Sequence, residues 1–225
     1  MNEMFCFQCQ QTAHNTGCNG KAGVCGKKAD TANYQDELTG ELIGLARAAK
    51  KNGASAQTDR LIQKGLFTTI TNVNFNNDTI NSLKEEIKTA KEALENCESY
   101  NVKNIWNEDE DIRSLKSLLL FGIKGMAAYA YHAFALGKTN DSVNSFFYEA
   151  LAALGEDKTI EELLSLVLRC GEINLKCMHM LDEANTQAYG NPTPTKVSLT
   201  IEKGPFIVVS GHDLHDLKLL LEQTK

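Results

Sequence analysis

Four of the seven cysteines in this 225-residue chain, Cys6, Cys9, Cys18 and Cys25, fall within a span of twenty residues near its start. The residues between them are mostly small or polar, among them Gln10, Gln11, Thr12, Asn15, Gly17, Gly20 and Gly23. Such a segment has too little apolar surface to fold by burial alone. A bound metal would supply the missing free energy by closing the loop on a cation. Cys6-Phe7-Gln8-Cys9 sets two thiolates on one side of a tight turn, and the glycines let the backbone bend back so that Cys18 and Cys25 complete a tetrahedron. Four thiolates fit either a zinc ion or an iron–sulfur cluster. Only the first pair forms a Cys-x2-Cys knuckle, and gaps of eight and six residues separate the others, a spacing that favours the larger cluster. Phe5, Phe7 and Val24 beside the thiolates would screen a cluster from water. Zinc remains the alternative, and a disulfide is disfavoured.

The odd cysteine count argues against a fully paired disulfide framework and points to a reducing cytoplasm. A net charge of −6 and a sequence pI near 5.4 give no basic footprint, so neither nucleic acid nor an anionic membrane surface is an expected partner. The first residues are polar and carry no apolar leader, so no signal peptide is expected.

Apolar spacing predicts helices from residue 30 to 190. The first opens at Asp30 or Thr31 and runs through Leu38, Leu42, Ile43, Leu45 and Ala49 to Lys50-Lys51-Asn52-Gly53, with cations in its last turn and a glycine after it. A second is expected over 56–73 and a third after the Asn76-Asn77-Asp78 cap, together making a three-helix bundle. A polar connection over 101–111, holding Trp106, leads to a second bundle. Its members are a long apolar helix over 110–136, a shorter one opened by Asn140 or Asp141, and a third opened by the capping box of Thr159 and Glu162. Lys124 and His132 interrupt the long helix and Gly122 and Gly125 lie inside it, so it reads as a buried central helix rather than a membrane span.

Two prolines in Gly190-Asn191-Pro192-Thr193-Pro194 stop the helical pattern. The apolar run Phe206-Ile207-Val208-Val209, the turn Ser210-Gly211-His212-Asp213 and the amphipathic Leu214, Leu217, Leu220 and Leu221 read as strand, turn and helix, the opening of a βαβ unit. One strand cannot make a sheet, so 191–225 reads as the start of a truncated α/β domain. The expected fold class is therefore mainly α: a cysteine-rich segment over 1–29, two three-helix bundles over 30–190, and the first strand-turn-helix of an incomplete α/β domain.

The run MFCFQCQQTAHNTGCNGKAGVCGKKADTANYQDEL resembles the amino terminus of the hybrid-cluster proteins, known also as prismane proteins and hydroxylamine reductases. The stretches ALGKTNDSVNSFFYEALAAL, LDEANTQAYGNPTPTKV and VVSGHDLHDLKLLLEQT extend the resemblance over essentially the whole chain. It implies a 4Fe–4S cubane on Cys6, Cys9, Cys18 and Cys25, the short gap after Cys9 resembling the four-iron rather than the two-iron group. It implies also a hybrid iron–sulfur–oxygen cluster in the longer parent protein, with His212 matching its histidine ligand and its cysteine ligands falling beyond Lys225. His212 sits where a strand ends, the place where open α/β sheets put their sites.

Two functions of different class follow. The resemblance implies a redox enzyme that takes electrons from a donor at the cubane and passes them to the hybrid cluster, reducing hydroxylamine to ammonia or nitric oxide to nitrous oxide. The alternative is a catalytically inactive module, either electron-carrying or zinc-stabilised, and the fragment alone is expected to be inactive. The remaining candidates read blandly: His14 lies between cluster cysteines whose thiolates already fill four positions, His132 and His179 are helical packing or surface residues, His215 is exposed, Cys97 ends a helix, and Cys170 and Cys177 share a core face.

Overall fold

Helix α1, Ala29–Asn52, leaves the cysteine segment directly and is walled in on nearly every side. It belongs to a computed structural model that describes residues 4–9, 16–70, 73–94, 98–211 and 213–225 and divides into two units, 1–191 and 192–225. Leu38, Leu42, Ile43, Leu45 and Ala46 of α1 are fully buried, and each such leucine or isoleucine contributes about 1.5–3 kcal/mol by leaving water. Asp30 and Thr31 do not cap the helix as expected; the N-cap is Lys28, which makes no side-chain capping bond. Asp30 instead accepts from the Asn77 amide at 3.0 Å, and the Thr31 hydroxyl donates to Asn77 at 2.8 Å, pinning the start of α1 to the start of α3, Asn77–Glu92.

Helix α2, Ala56–Thr68, opens with a reciprocal capping box between Ser55 and Thr58. It stops at Thr68 rather than reaching residue 73, because the Thr69 hydroxyl turns back to the Leu66 carbonyl at 2.8 Å and competes with continued helical pairing. The connection after α3 is less irregular than its polar composition suggested. It rests on α1 where Gly40 has no side chain to collide with the Tyr100 carbonyl, and it contains a short helix, α4, Lys103–Trp106.

Helices α5, Glu110–Ala135, α6, Asp141–Leu154, and α7, Ile160–Tyr189, follow at the expected places. Asn140 caps α6, and both arms of the Thr159–Glu162 box close at 2.8 and 3.3 Å. α5 packs along α7, where Gly122 admits the Cys170 sulfur: a Cβ there would stand 2.9 Å from it. α5 is long and apolar enough to cross a membrane, yet Leu119, Leu120, Ile123, Met126 and Ala130 form its share of the core. α1 also packs on α6 and α2 on α5, so the two predicted three-helix sets share one apolar cluster running from Leu38 through Phe146 to Met180.

Residues 192–225 hold α8, Leu214–Gln223, capped by Asp213, whose carboxylate accepts from the backbone N–H groups of His215 and Asp216. The expected strand over 206–209 is not formed among the described residues; Phe206, Ile207, Val208 and Val209 are exposed and unpaired in any ladder. A strand persists through the N–H and C=O partners of a neighbour, and this unit offers none.

Candidate metal centre

The cysteine segment is fastened to the helices by aromatic packing on one side and a buried polar network on the other. Phe7 is 3% exposed, its ring centroid 5.1 Å from that of Trp106, and Phe5 meets the same indole edge-on at 5.4 Å. The Arg113 guanidinium also lies over the Trp106 ring, 4.9 Å from its centroid, a cation–π contact. Trp106 is thus the clamp that holds residues 5–7 rather than a feature of a polar linker. Cys6 and Cys18 are paired as an isolated antiparallel bridge, with N–H to carbonyl distances of 3.0 and 2.7 Å.

Met4, Cys6, Cys18 and Ala32 form a small apolar cluster of their own. Gly23 borders it: a Cβ there would lie 3.5 Å from both the Cys25 sulfur and the Met4 methyl. The loop carrying Cys25 is closed by hydrogen bonds from the Gly23 N–H to the Lys27 carbonyl at 2.8 Å and from the Gly26 N–H to the Gly23 carbonyl at 2.9 Å. Cys9 and Cys25 are half-buried, and Cys6, Cys9, Cys18 and Cys25 are all free thiols. Burial pushes the Cys6 thiol up, opposed by the backbone N–H of Gln8 and the charge of Lys27. Among the described residues, no three His, Cys, Asp or Glu side chains are arranged to hold a metal ion. His14 and Cys97 lie outside the described residues, as does His212.

The network beneath the cysteines went unread in the sequence. Gln8 donates to the Asp36 carboxylate at 2.5 Å and to the Ala32 carbonyl at 3.3 Å, and its own carbonyl accepts from Lys27 at 3.0 Å. Lys27 also donates to Gln35 at 2.5 Å, and Gln35 passes the chain on to the Asn74 carbonyl at 2.9 Å. Lys124, from the middle of α5, donates to the Thr69 carbonyl at 3.3 Å. Burial pushes Asp36 up to about 6 despite the hydrogen bond from Gln8, and burial pulls Lys124 down to about 8 despite the nearby Asp36 carboxylate. Asp36 Oδ2 is buried without a hydrogen-bond partner among the described residues.

This network bears on which group the thiols would hold. Lys27 and Lys124 are 2% and 4% exposed, and both act on the one buried carboxylate of this network, Asp36, so positive charge is in excess among these described groups. Buried charge is costly unless compensated. Four thiolates around an iron–sulfur cluster supply negative charge at the place where the excess lies, and the Cys6 and Cys9 thiols are near enough to act on Lys124. Donor chemistry and electrostatics therefore fit such a group.

The other sequence candidates are placed apart from this centre. His132 packs edge-on against Phe67 at 5.5 Å, His179 is exposed beside Glu183, and His215 is exposed in the first turn of α8. Cys170 and Cys177 are buried against α5, their thiols pushed up to about 11 and about 12 by burial.

The profile of the Prismane/CO dehydrogenase family matches residues 4–225, which take in both the cysteine segment and the helices. The chain belongs to that family. It is 45% identical over 98% of its length to a hydroxylamine reductase of Solidesulfovibrio magneticus, covering 47% of that relative. It is 41% identical over 99% of its length to the hydroxylamine reductase of Caldanaerobacter subterraneus, covering 46% of it. The chain thus spans about half the length of the curated relatives it matches.

Proposed function

We propose that this chain is the cluster-bearing amino-terminal part of an iron–sulfur oxidoreductase, with Cys6, Cys9, Cys18 and Cys25 as ligands of a 4Fe–4S cluster. The observation that carries the reading is the excess of buried positive charge from Lys27 and Lys124 next to four free thiols, in a chain of the Prismane/CO dehydrogenase family. When bound, the cluster supplies one-electron storage, and four protein thiolates leave it no open iron for substrate. The residues around it have defined tasks: Phe5, Phe7 and Trp106 exclude water, the paired Cys6 and Cys18 fix the segment's register, and the lysines balance charge.

The parent enzyme, in this reading, works in the cytoplasm and receives electrons from a redox donor. Reduction of hydroxylamine to ammonia and water takes up two electrons and two protons; coupling two nitric oxide molecules to nitrous oxide and water takes up the same number. The relatives bearing the name hydroxylamine reductase favour the first. The substrate would react at a hybrid iron–sulfur–oxygen cluster to which this chain contributes His212, so the chain alone is inactive. Iron and acid-labile sulfide, measured on protein purified without oxygen, test the cluster. About four of each, lost in Cys9→Ser, support it; stoichiometric zinc without sulfide replaces it with a zinc-stabilised helical module.

A further inference from the structure

α5 buries two lysines: Lys116 is paired with Glu108 at 2.9 Å, whereas the hydrogen bond of Lys124 goes to a backbone carbonyl. Lys124 lies in the most apolar stretch of the chain, 4% exposed, and its ammonium group donates to the Thr69 carbonyl at 3.3 Å. A methionine would occupy similar space without the cost of dehydrating a charge. The groups acting on it fall into two sets: Lys27 repels, whereas Asp36, Cys6 and Cys9 attract. Asp36 is already bonded to Gln8 and faces Lys27 and Lys103 as well, so a single carboxylate stands against several ammonium groups. Cys6 and Cys9 are thus close enough to Lys124 to act on it, and a cluster held by them would become more negative by one charge on reduction.

We infer that Lys124 sets the reduction potential of the cluster held by Cys6, Cys9, Cys18 and Cys25, its buried ammonium group favouring the reduced state. The inference rests on the cluster reading above. Lys124 is a positioning charge rather than a catalytic residue: an external one-electron reductant is oxidised, the cluster is reduced, and Lys124 keeps its proton throughout. Net charge near a cluster is one of the levers that move its potential, and a buried ammonium group acts with little screening.

The test is a redox titration of the 225-residue chain, purified without oxygen, as wild type, Lys124→Met and Lys124→Arg, with iron and sulfide measured on each. Loaded Lys124→Met is expected to show at least a tenfold larger ratio of oxidised to reduced cluster at the wild-type midpoint, a downward shift of about 59 mV for one electron. Lys124→Arg, which keeps the charge, is expected to stay near wild type. Metal-free protein gives a second readout: Lys124→Met should melt higher than wild type, because an uncompensated buried charge has gone. A residue present only to bind the Thr69 carbonyl would instead lower the melting temperature with or without metal. An unchanged potential in loaded Lys124→Met overturns this inference and leaves the cluster reading standing, and so does a lower melting temperature in the metal-free variant. Should Lys124→Met fail to load, Lys124→Gln is titrated by the same criterion. Wild-type protein without iron and sulfide overturns both.

Discussion

Gly17 shows how much a single position constrains the amino-terminal segment. Its φ of +87° lies where L side chains are strained, and a Cβ would come within 2.7 Å of the Phe5 ring. Gly17→Ala should therefore displace Phe5 from Trp106 and cost about 1–3 kcal/mol, read from the urea midpoint of the metal-free chain. Lys124 has a pH signature of its own. Its folded pKa, about 8, is below its unfolded value, so the unfolded state binds more protons between about 8 and 10.5 and stability rises with pH across that window. The melting temperatures of metal-free wild type and Lys124→Met should accordingly converge as pH is raised from 7 to 10; a gap that stays constant would contradict the assignment. In the sequence, Lys124 was visible only as a break in an apolar run. Its meaning comes from Asp36, Cys6 and Lys27, which lie close to it in space but far from it along the chain.

Element boundaries were legible where a local signal decided them. Asn76, Asn140 and the Thr159–Glu162 box each open a helix at the expected residue, because an N-cap satisfies backbone groups within its own turn. Thr159→Ala should lower stability by about 1 kcal/mol, measured as a shift in the denaturant midpoint with unchanged slope. Signals that depend on tertiary partners were not legible. Asp30 had a capping residue's composition yet serves Asn77, and α2 ends early because Thr69 bonds backward. Trp106 looked like part of a linker, since nothing local reveals that Phe5 and Phe7 come to rest on it. The free thiols of the candidate centre were plain from spacing, whereas the Gln8–Asp36–Lys27 network joins ordinary surface residue types that only the fold conceals from water.

At the scale of the molecule, the helical sets were readable individually but their union was not. Periodicity identifies an inner face; it does not say that α1 also serves α6 and α2 also serves α5. The strand over 206–209 was read from composition that is necessary but not sufficient, as strand geometry requires a partner. Phe206, Ile207, Val208 and Val209 are between 53% and 80% exposed in the second unit, enough apolar surface to promote association. Light scattering coupled to size exclusion should find Ile207→Asp with Val209→Asp more monodisperse than the wild-type chain at the same concentration, with helicity by circular dichroism unchanged.

The distance along the chain between Cys25 and Lys124 also bears on timing during synthesis. About a hundred residues separate them, which a ribosome adds in about 5–20 s. Through that interval the cysteines have left the ribosome while α5, with the charge that would balance a cluster, has not. A cluster delivered then would enter a segment with neither its Trp106 clamp nor its full complement of cations. On the cluster reading proposed above, loading is thus expected to follow translation of α5, when the helices can close on the thiols.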